Sequence, residues 1–201
     1  MIRVMILLLI IIVLVVYLIP RYPEPKVISN LLSDEERQYI MKQAEPRLRV
    51  STVGRDFQID TTTRVSETAW LEPSDPVINR VIERCLNLVN EPIENCEQLQ
   101  ILRYKPGGHY KPHQDAFSDK DPNSRAYTVI LALNDDYEDG QTEFPNLNKN
   151  YKLKAGDALF FHTLDNYGLM TSKALHGGKP VKSGEKWICN LWIHKYPYTP
   201  S

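Results

Sequence analysis

The sequence predicts a mainly β domain with helices packed outside it, preceded by an apolar N-terminal segment. Three observations carry this. Helix signals, with caps and a helical apolar period, fall between Ser33 and Val89. From about residue 97 the pattern changes to short apolar or alternating runs, separated by turns rich in Gly and Pro. Two helices followed by many short strands favour a β-sandwich or a barrel with the helices on its outside, an α+β arrangement.

The N-terminal element comes first. The chain has 201 residues, 42% apolar and 24% charged, with a formal net charge of -1. The apolar residues are concentrated in an unbroken run of 16 from Val4 to Ile19. As a helix this run spans about 24 Å, close to the roughly 27 Å core of a thin endoplasmic-reticulum bilayer. Arg3 and Arg21 flank it, where their stems can snorkel to the polar boundary. The run ends in Tyr17-Leu18-Ile19-Pro20, without the small residues of a signal-cleavage site. Residues 1–20 are therefore expected to be an uncleaved, single-pass transmembrane signal anchor, residues 21–26 a linker, and residues 27–201 one domain. The flanking charges, Arg3 and the amino terminus against Arg21 and Lys26, balance and leave the orientation open; a short tail ahead of a first anchor usually stays in the cytosol, which would place the domain in the endoplasmic-reticulum lumen.

Composition also excludes. A net charge near zero, without a run of like charge, argues against a nucleic-acid partner. Cys85, Cys96 and Cys189 are too few for a disulfide scaffold, and no CxxC pair occurs. Cys85 and Cys96 are either paired in an oxidising lumen or buried as small apolar residues.

The domain elements follow in order. Tyr22-Pro23-Glu24-Pro25 is a stiff linker. Ser33-Asp34-Glu35-Glu36 reads as a capping box, opening a helix that stops before Pro46. Asp75-Pro76 opens a second helix, with Val77, Ile78, Val81, Ile82, Cys85, Leu88 and Val89 on one stripe. Strands are expected at Leu99–Tyr104, Tyr127–Leu133, Ala158–Phe161 and Trp187–His194. The last alternates, with Trp187, Cys189, Leu191 and Ile193 on one face. Turns are expected at Pro106-Gly107-Gly108, Asp139-Gly140, Gly177-Gly178 and Ser183-Gly184.

The chemistry centres on histidine. In His113-Gln114-Asp115 an i, i+2 pair on an extended strand points an imidazole and a carboxylate to one face. With a third ligand they would form a 2-His-1-carboxylate triad, leaving positions open on Fe(II). Taken alone, a metal site and a hydrogen-bonded pair at a strand end are equally good readings. His176-Gly177-Gly178 adds a histidine beside glycines, where backbone approaches closely. Lys186 shares a strand face with Ile188, Asn190 and Trp192. A cation facing an interior needs an anionic partner, and a bound carboxylate serves if the protein supplies none. His109, His162 and His194 read as structural or exposed.

At this point the chain resembles the catalytic domain of collagen-type and plant-type prolyl 4-hydroxylases, Fe(II)/2-oxoglutarate dioxygenases. The matching blocks stand in the family's order: Thr63-Arg64-Val65-Ser66, Leu102 to Asp115, Arg125-Ala126-Tyr127-Thr128-Val129, Gly140-Gln141-Thr142-Glu143-Phe144-Pro145, Lys154 to Phe161, and His176 to Val181 with Lys186-Trp187 after it. The likeness covers about residues 27–197. It implies a double-stranded β-helix, or jelly-roll, core. It implies that His113, Asp115 and His176 bind Fe(II), and that Lys186 pairs with the distal carboxylate of 2-oxoglutarate. By the same resemblance Tyr104 and Thr142 hydrogen-bond that co-substrate and Trp192 lines the pocket near it. Arg125 and Tyr110 face the peptide groove.

The activity implied is hydroxylation of peptidyl proline at C4, with O2 and 2-oxoglutarate consumed and succinate and CO2 released. L-Ascorbate is the implied reductant, and a proline-rich or collagen-like polypeptide the implied partner. A related dioxygenase with another protein substrate, or a non-catalytic jelly roll binding a proline-rich partner, are the alternatives. The chain departs from the family at Asp139 and Gln141, and in the polar Ser118–Ser124 loop. It also lacks room for a separate peptide-binding domain.

Overall fold

A computed structural model describes residues 18–54, 58–118 and 121–199. Most of the expected anchor, with parts of two loops, lies outside the described residues. Among the described residues no helix is long and apolar enough to cross a membrane.

Two α-helices form where their caps predict. Helix α1 (Asp34–Ala44) is opened by a complete capping box: Ser33 Oγ accepts from the Glu36 N–H, and the Glu36 carboxylate accepts from the Ser33 N–H. A single 3-10 turn, Glu45–Arg47, carries the chain past Pro46. Helix α2 (Pro76–Leu86) begins at Asp75, whose carboxylate accepts from the N–H groups of Val77 and Ile78. Ile78, Val81, Ile82 and Cys85 are buried as the stripe requires. The helix ends sooner than the stripe implies, at Leu86. Asn90 turns the chain with a φ of +57°, and Leu88 and Val89 reach the same core from the turn.

The strands are β1 (Lys26–Ile28), β2 (Arg49–Val50), β3 (Arg64–Val65), β4 (Glu67–Leu71), β5 (Leu99–Tyr104), β6 (His109–His113) and β7 (Arg125–Ala132). They continue with β8 (Glu138–Asp139), β9 (Thr142–Phe144), β10 (Lys149–Tyr151), β11 (Ala158–His162), β12 (His176–Gly178), β13 (Val181–Ser183) and β14 (Lys186–His194). A seven-stranded sheet runs β1-β11-β7-β14-β5-β4-β2, and a five-stranded sheet runs β10-β9-β12-β6-β3. Strands β13 and β8 form a small ribbon beside them. All the pairings are antiparallel, and the two larger sheets make the jelly roll.

Strand β14 explains how the core is divided. Trp187, Cys189, Leu191 and Ile193 pack with Ile78, Val81 and Ile82 of α2 on the helix side of the large sheet. Ile188 points the other way, into a second cluster between the sheets with Leu102, Ile130, Phe144 and Phe161. The expected alternation is therefore present over the whole strand, which begins one residue earlier, at Lys186. The three cysteines are free, with Cys85 and Cys189 buried in the helix-side core and Cys96 packed against it.

One expected turn is a strand instead. Gly177-Gly178 lies within β12, which pairs with both β6 and β9. A Cβ on Gly177 would stand 2.8 Å from the Tyr110 carbonyl oxygen and 2.9 Å from the Pro112 nitrogen. The glycine is needed for close strand approach, not for chain reversal. Asp139 and Gly140 do turn, with φ of +59° and +65°. Aspartate tolerates this left-handed conformation, so the departure from a family glycine is accommodated.

Candidate metal centre

The pairing of β12 with β6 sets His176 directly opposite His113. Asp115 does not share the strand as the sequence suggested. β6 ends at His113, the chain bends, and the Asp115 side chain, 4% exposed, turns back beneath both imidazoles. Thr128, on β7, donates its hydroxyl to Asp115 Oδ2 at 2.7 Å. His113 Nε2 lies 3.6 Å from Asp115 Oδ1, and His176 Nε2 lies 3.5 Å from Oδ2. Each of the three residues offers a donor atom, and these atoms lie within 4.8 Å of one another.

Backbone carbonyls orient both rings. His113 Nδ1 meets the Lys111 carbonyl at 2.9 Å, and His176 Nδ1 meets the Ala174 carbonyl at 3.0 Å. A carbonyl only accepts, so Nδ1 carries the proton and each Nε2 lone pair faces the centre. Aromatic rings fix the planes. Tyr110 stacks on His113 at 3.6 Å, and Phe161 and Phe144 stand 4.7 and 5.5 Å from His176. Burial pushes the His176 imidazole down to about 4, so it stays neutral. Burial opposes ionisation of Asp115, but His176, His113 and Arg125 outweigh it and hold the carboxyl well below the usual range. Two imidazoles and one carboxylate on one side of a point fit Fe(II), with the remaining positions left for other ligands.

The same pocket is lined by Tyr104, Thr142, Lys186 and Asn190. Lys186 is 4% exposed, and its ammonium donates to the Gly140 carbonyl at 2.7 Å. Burial, and secondarily the charge of Lys152, lower it to about 8. No carboxylate is paired with Lys186 among the described residues. Tyr104 is buried below it, with its ring centre 5.4 Å from the ammonium.

Arg125 and Trp192 lie outside this pocket wall. The Arg125 guanidinium sits 3.5 Å from the Trp192 ring centre and 4.6 Å from that of Phe117. Its Nε and Nη2 donate to the Glu97 carboxylate at 2.5 and 2.9 Å. His194 Nε2 meets the same carboxylate at 3.0 Å. Glu97, unassigned from the sequence, ties Arg125 to His194, which is buried in a structural role as expected. The spacing of β14 is the available signal for this cluster, since His194 follows Trp192 by two residues. Arg64, also unassigned, lies over the Tyr110 ring at 4.7 Å and donates to Ser66.

The chain is similar to known proteins over most of its length. The 2OG-Fe(II) oxygenase superfamily matches residues 99–194. The chain is 34% identical to prolyl 4-hydroxylase 1 of Arabidopsis thaliana over 196 residues, covering 86% of this chain and 69% of that one. It is 30% identical to the human prolyl 4-hydroxylase subunit alpha-1 over 188 residues, but spans only 35% of that subunit. Among solved structures, the viral collagen prolyl hydroxylase of Paramecium Bursaria Chlorella virus-1, as its 2OG complex, superposes with a TM-score of 0.73. That match is 30% identical and covers 87% of this chain and 97% of the viral one.

Proposed function

The chain belongs to the prolyl 4-hydroxylase family of the 2OG-Fe(II) oxygenase superfamily, and from that premise we propose that it hydroxylates C4 of proline residues in proline-rich or collagen-like polypeptides. It is a 2-oxoglutarate-dependent dioxygenase. One observation carries the reading. A 2-His-1-carboxylate triad and a buried lysine with no acidic partner among the described residues share one pocket.

His113, Asp115 and His176 would hold Fe(II), which with O2 and 2-oxoglutarate supplies the oxidising power and releases succinate and CO2. Asp115 offsets one charge of the cation, and Thr128 keeps that carboxylate from turning. Lys186 exchanges the Gly140 carbonyl for the distal carboxylate of 2-oxoglutarate, a stronger partner for an ammonium. The Tyr104 and Thr142 hydroxyls hydrogen-bond the co-substrate, while Ile130 and Ile188 keep water from that wall. Arg125, held by Glu97, and Tyr110, held between Arg64 and His113, present the peptide side of the site. Trp192 backs the Arg125 guanidinium from within, and among the described residues its buried indole N–H has no acceptor. L-Ascorbate serves as the reductant that restores Fe(II).

The test is succinate release from protein supplied with Fe(II), 2-oxoglutarate and ascorbate, across poly-proline and collagen-like peptides. Peptide-dependent succinate with a 16 Da gain on proline supports the reading. A metal-loaded protein that never couples succinate to any proline peptide overturns it.

The N-terminal run supports a membrane-held enzyme, with residues 1–20 as a single-pass anchor and the domain in the endoplasmic-reticulum lumen. Where the run ends, the Arg21 N–H donates to Asn166 and the Arg21 carbonyl accepts from the Asn166 N–H. The domain would thus lie directly against the bilayer surface. Alkaline extraction of membranes checks this: the full chain pellets, and a chain starting at residue 21 does not.

A further inference from the structure

The assignment of Lys186 as co-substrate anchor leaves the surroundings of its ammonium unexplained. Five groups face it. The Gly140 carbonyl accepts its hydrogen bond, Tyr104 lies beneath it, and Thr142 lines the pocket with it. The Tyr137 ring stands beside its stem: a Cβ built on Gly140 would be 3.3 Å from Tyr137 Cε2 and 3.4 Å from Lys186 Cδ. The fifth is Lys152, next after β10. Its ammonium donates to the Tyr137 carbonyl and lies 4.4 Å from the centre of the Tyr137 ring.

Asp135 acts on Tyr137 and accepts from the Ala155 N–H, while the other carboxylates of this region turn elsewhere. Glu185 reaches Arg103 and the Trp187 indole on the opposite face. Glu138 bonds Ser183 and pairs with Lys182, and Asp139 is exposed. The Tyr137 ring is thus the group shared by the two lysines, with Lys152 over it and the Lys186 stem beside it. After burial, the charge of Lys152 is what disfavours the Lys186 ammonium in the ligand-free protein. That arrangement is useful only if an anion arrives between or beside them.

We propose that Lys152 is a positioning residue for 2-oxoglutarate: acting across the Tyr137 ring, its charge draws the distal carboxylate to Lys186 and holds the Tyr137–Gly140 wall against the lysine stem. This rests on the reading of Lys186 as the anchor. Lys152 makes no direct contact with the carboxylate. Its effect is Coulombic, and it weakens with salt because its side chain reaches solvent.

The test measures binding, not turnover. Full-length protein loaded with Zn(II) in place of Fe(II) is titrated with 2-oxoglutarate by calorimetry between pH 6 and 9.5. Wild-type binding should weaken as pH rises past about 8, where Lys186 loses its proton. Lys152→Met should weaken binding about 3- to 10-fold at pH 7 and low salt, a loss that shrinks at high salt. It should also move the alkaline limb to higher pH, because Lys186 then holds its proton more tightly. Lys152→Arg should restore both. Unchanged affinity in Lys152→Met overturns the proposal, and so does weaker binding with an unmoved alkaline limb, which marks a packing defect. Lys186→Met serves as the control for the underlying reading. If it still binds 2-oxoglutarate at wild-type strength, the anchor assignment itself fails.

Discussion

Thr128 does nothing to a metal directly, yet its hydroxyl fixes one oxygen of the buried Asp115. Thr128→Val keeps the shape and removes that bond. Metal affinity should fall about 10- to 100-fold, measured by competition with a chelator, as for other groups that orient a ligand. Two buried bases shape the pH response of the ligand-free protein. His176 is lowered from 6.5 to about 4, so the unfolded chain binds the extra proton between those values. Stability of chelator-treated protein should therefore rise from pH 4 to 6.5, and be lost as acid is added through that window; thermal unfolding reads it. Lys186 is lowered from 10.5 to about 8, again giving the unfolded chain more protons in between. Its burial as an ammonium is thus a cost below pH 8, relieved as pH rises toward 10.5. Lys186→Met should be more stable than wild type by roughly 3 kcal/mol at pH 7 in urea, with the gap closing by about pH 10.5.

At the scale of elements, β12 is the most constrained. Gly177→Ala would force a methyl onto the Tyr110 carbonyl and the Pro112 nitrogen, both backbone atoms that cannot step aside. The β6–β12 pair must part, carrying His176 away from His113. We expect weakened metal binding with little change in the helix-side core, readable as a lost metal-dependent rise in Tm. Ser33→Ala removes half a capping box from α1 and should cost about 1 kcal/mol of stability in denaturant titration. That cap was legible in the sequence because its partners lie within four residues. The alternation of β14 was legible for a similar reason, since Trp187, Cys189, Leu191 and Ile193 repeat with the period of the strand itself. Gly177-Gly178 was misread because a glycine pair gives the same local signal for a turn and for close approach; only the neighbouring strand decides. The partnership of Glu97 with Arg125 and His194 joins three distant stretches, and no local period announces it. Asp115 was identified by residue type but not by placement, because the bend after His113 depends on Thr128 and the strands around it.

For the whole molecule, the sheets act as a frame that serves two interiors at once. Ile82→Ala, in the middle of the helix-side core, should cost about 2–5 kcal/mol while leaving the metal affinity of the folded fraction near wild type. The separation is possible because the triad hangs on the far sheet, away from α2. Strand β14 lies at the middle of the large sheet and, like β5, β7 and β11, sends alternate residues to each compartment. A slip of one position along its neighbours would turn Lys186 toward the helices and Trp187 into the metal pocket. A molecule threaded wrongly at its centre could then neither seal its core nor seat a co-substrate. Catalysis in this chain is thus its own certificate of assembly: any copy that turns over has already passed inspection at its central strand.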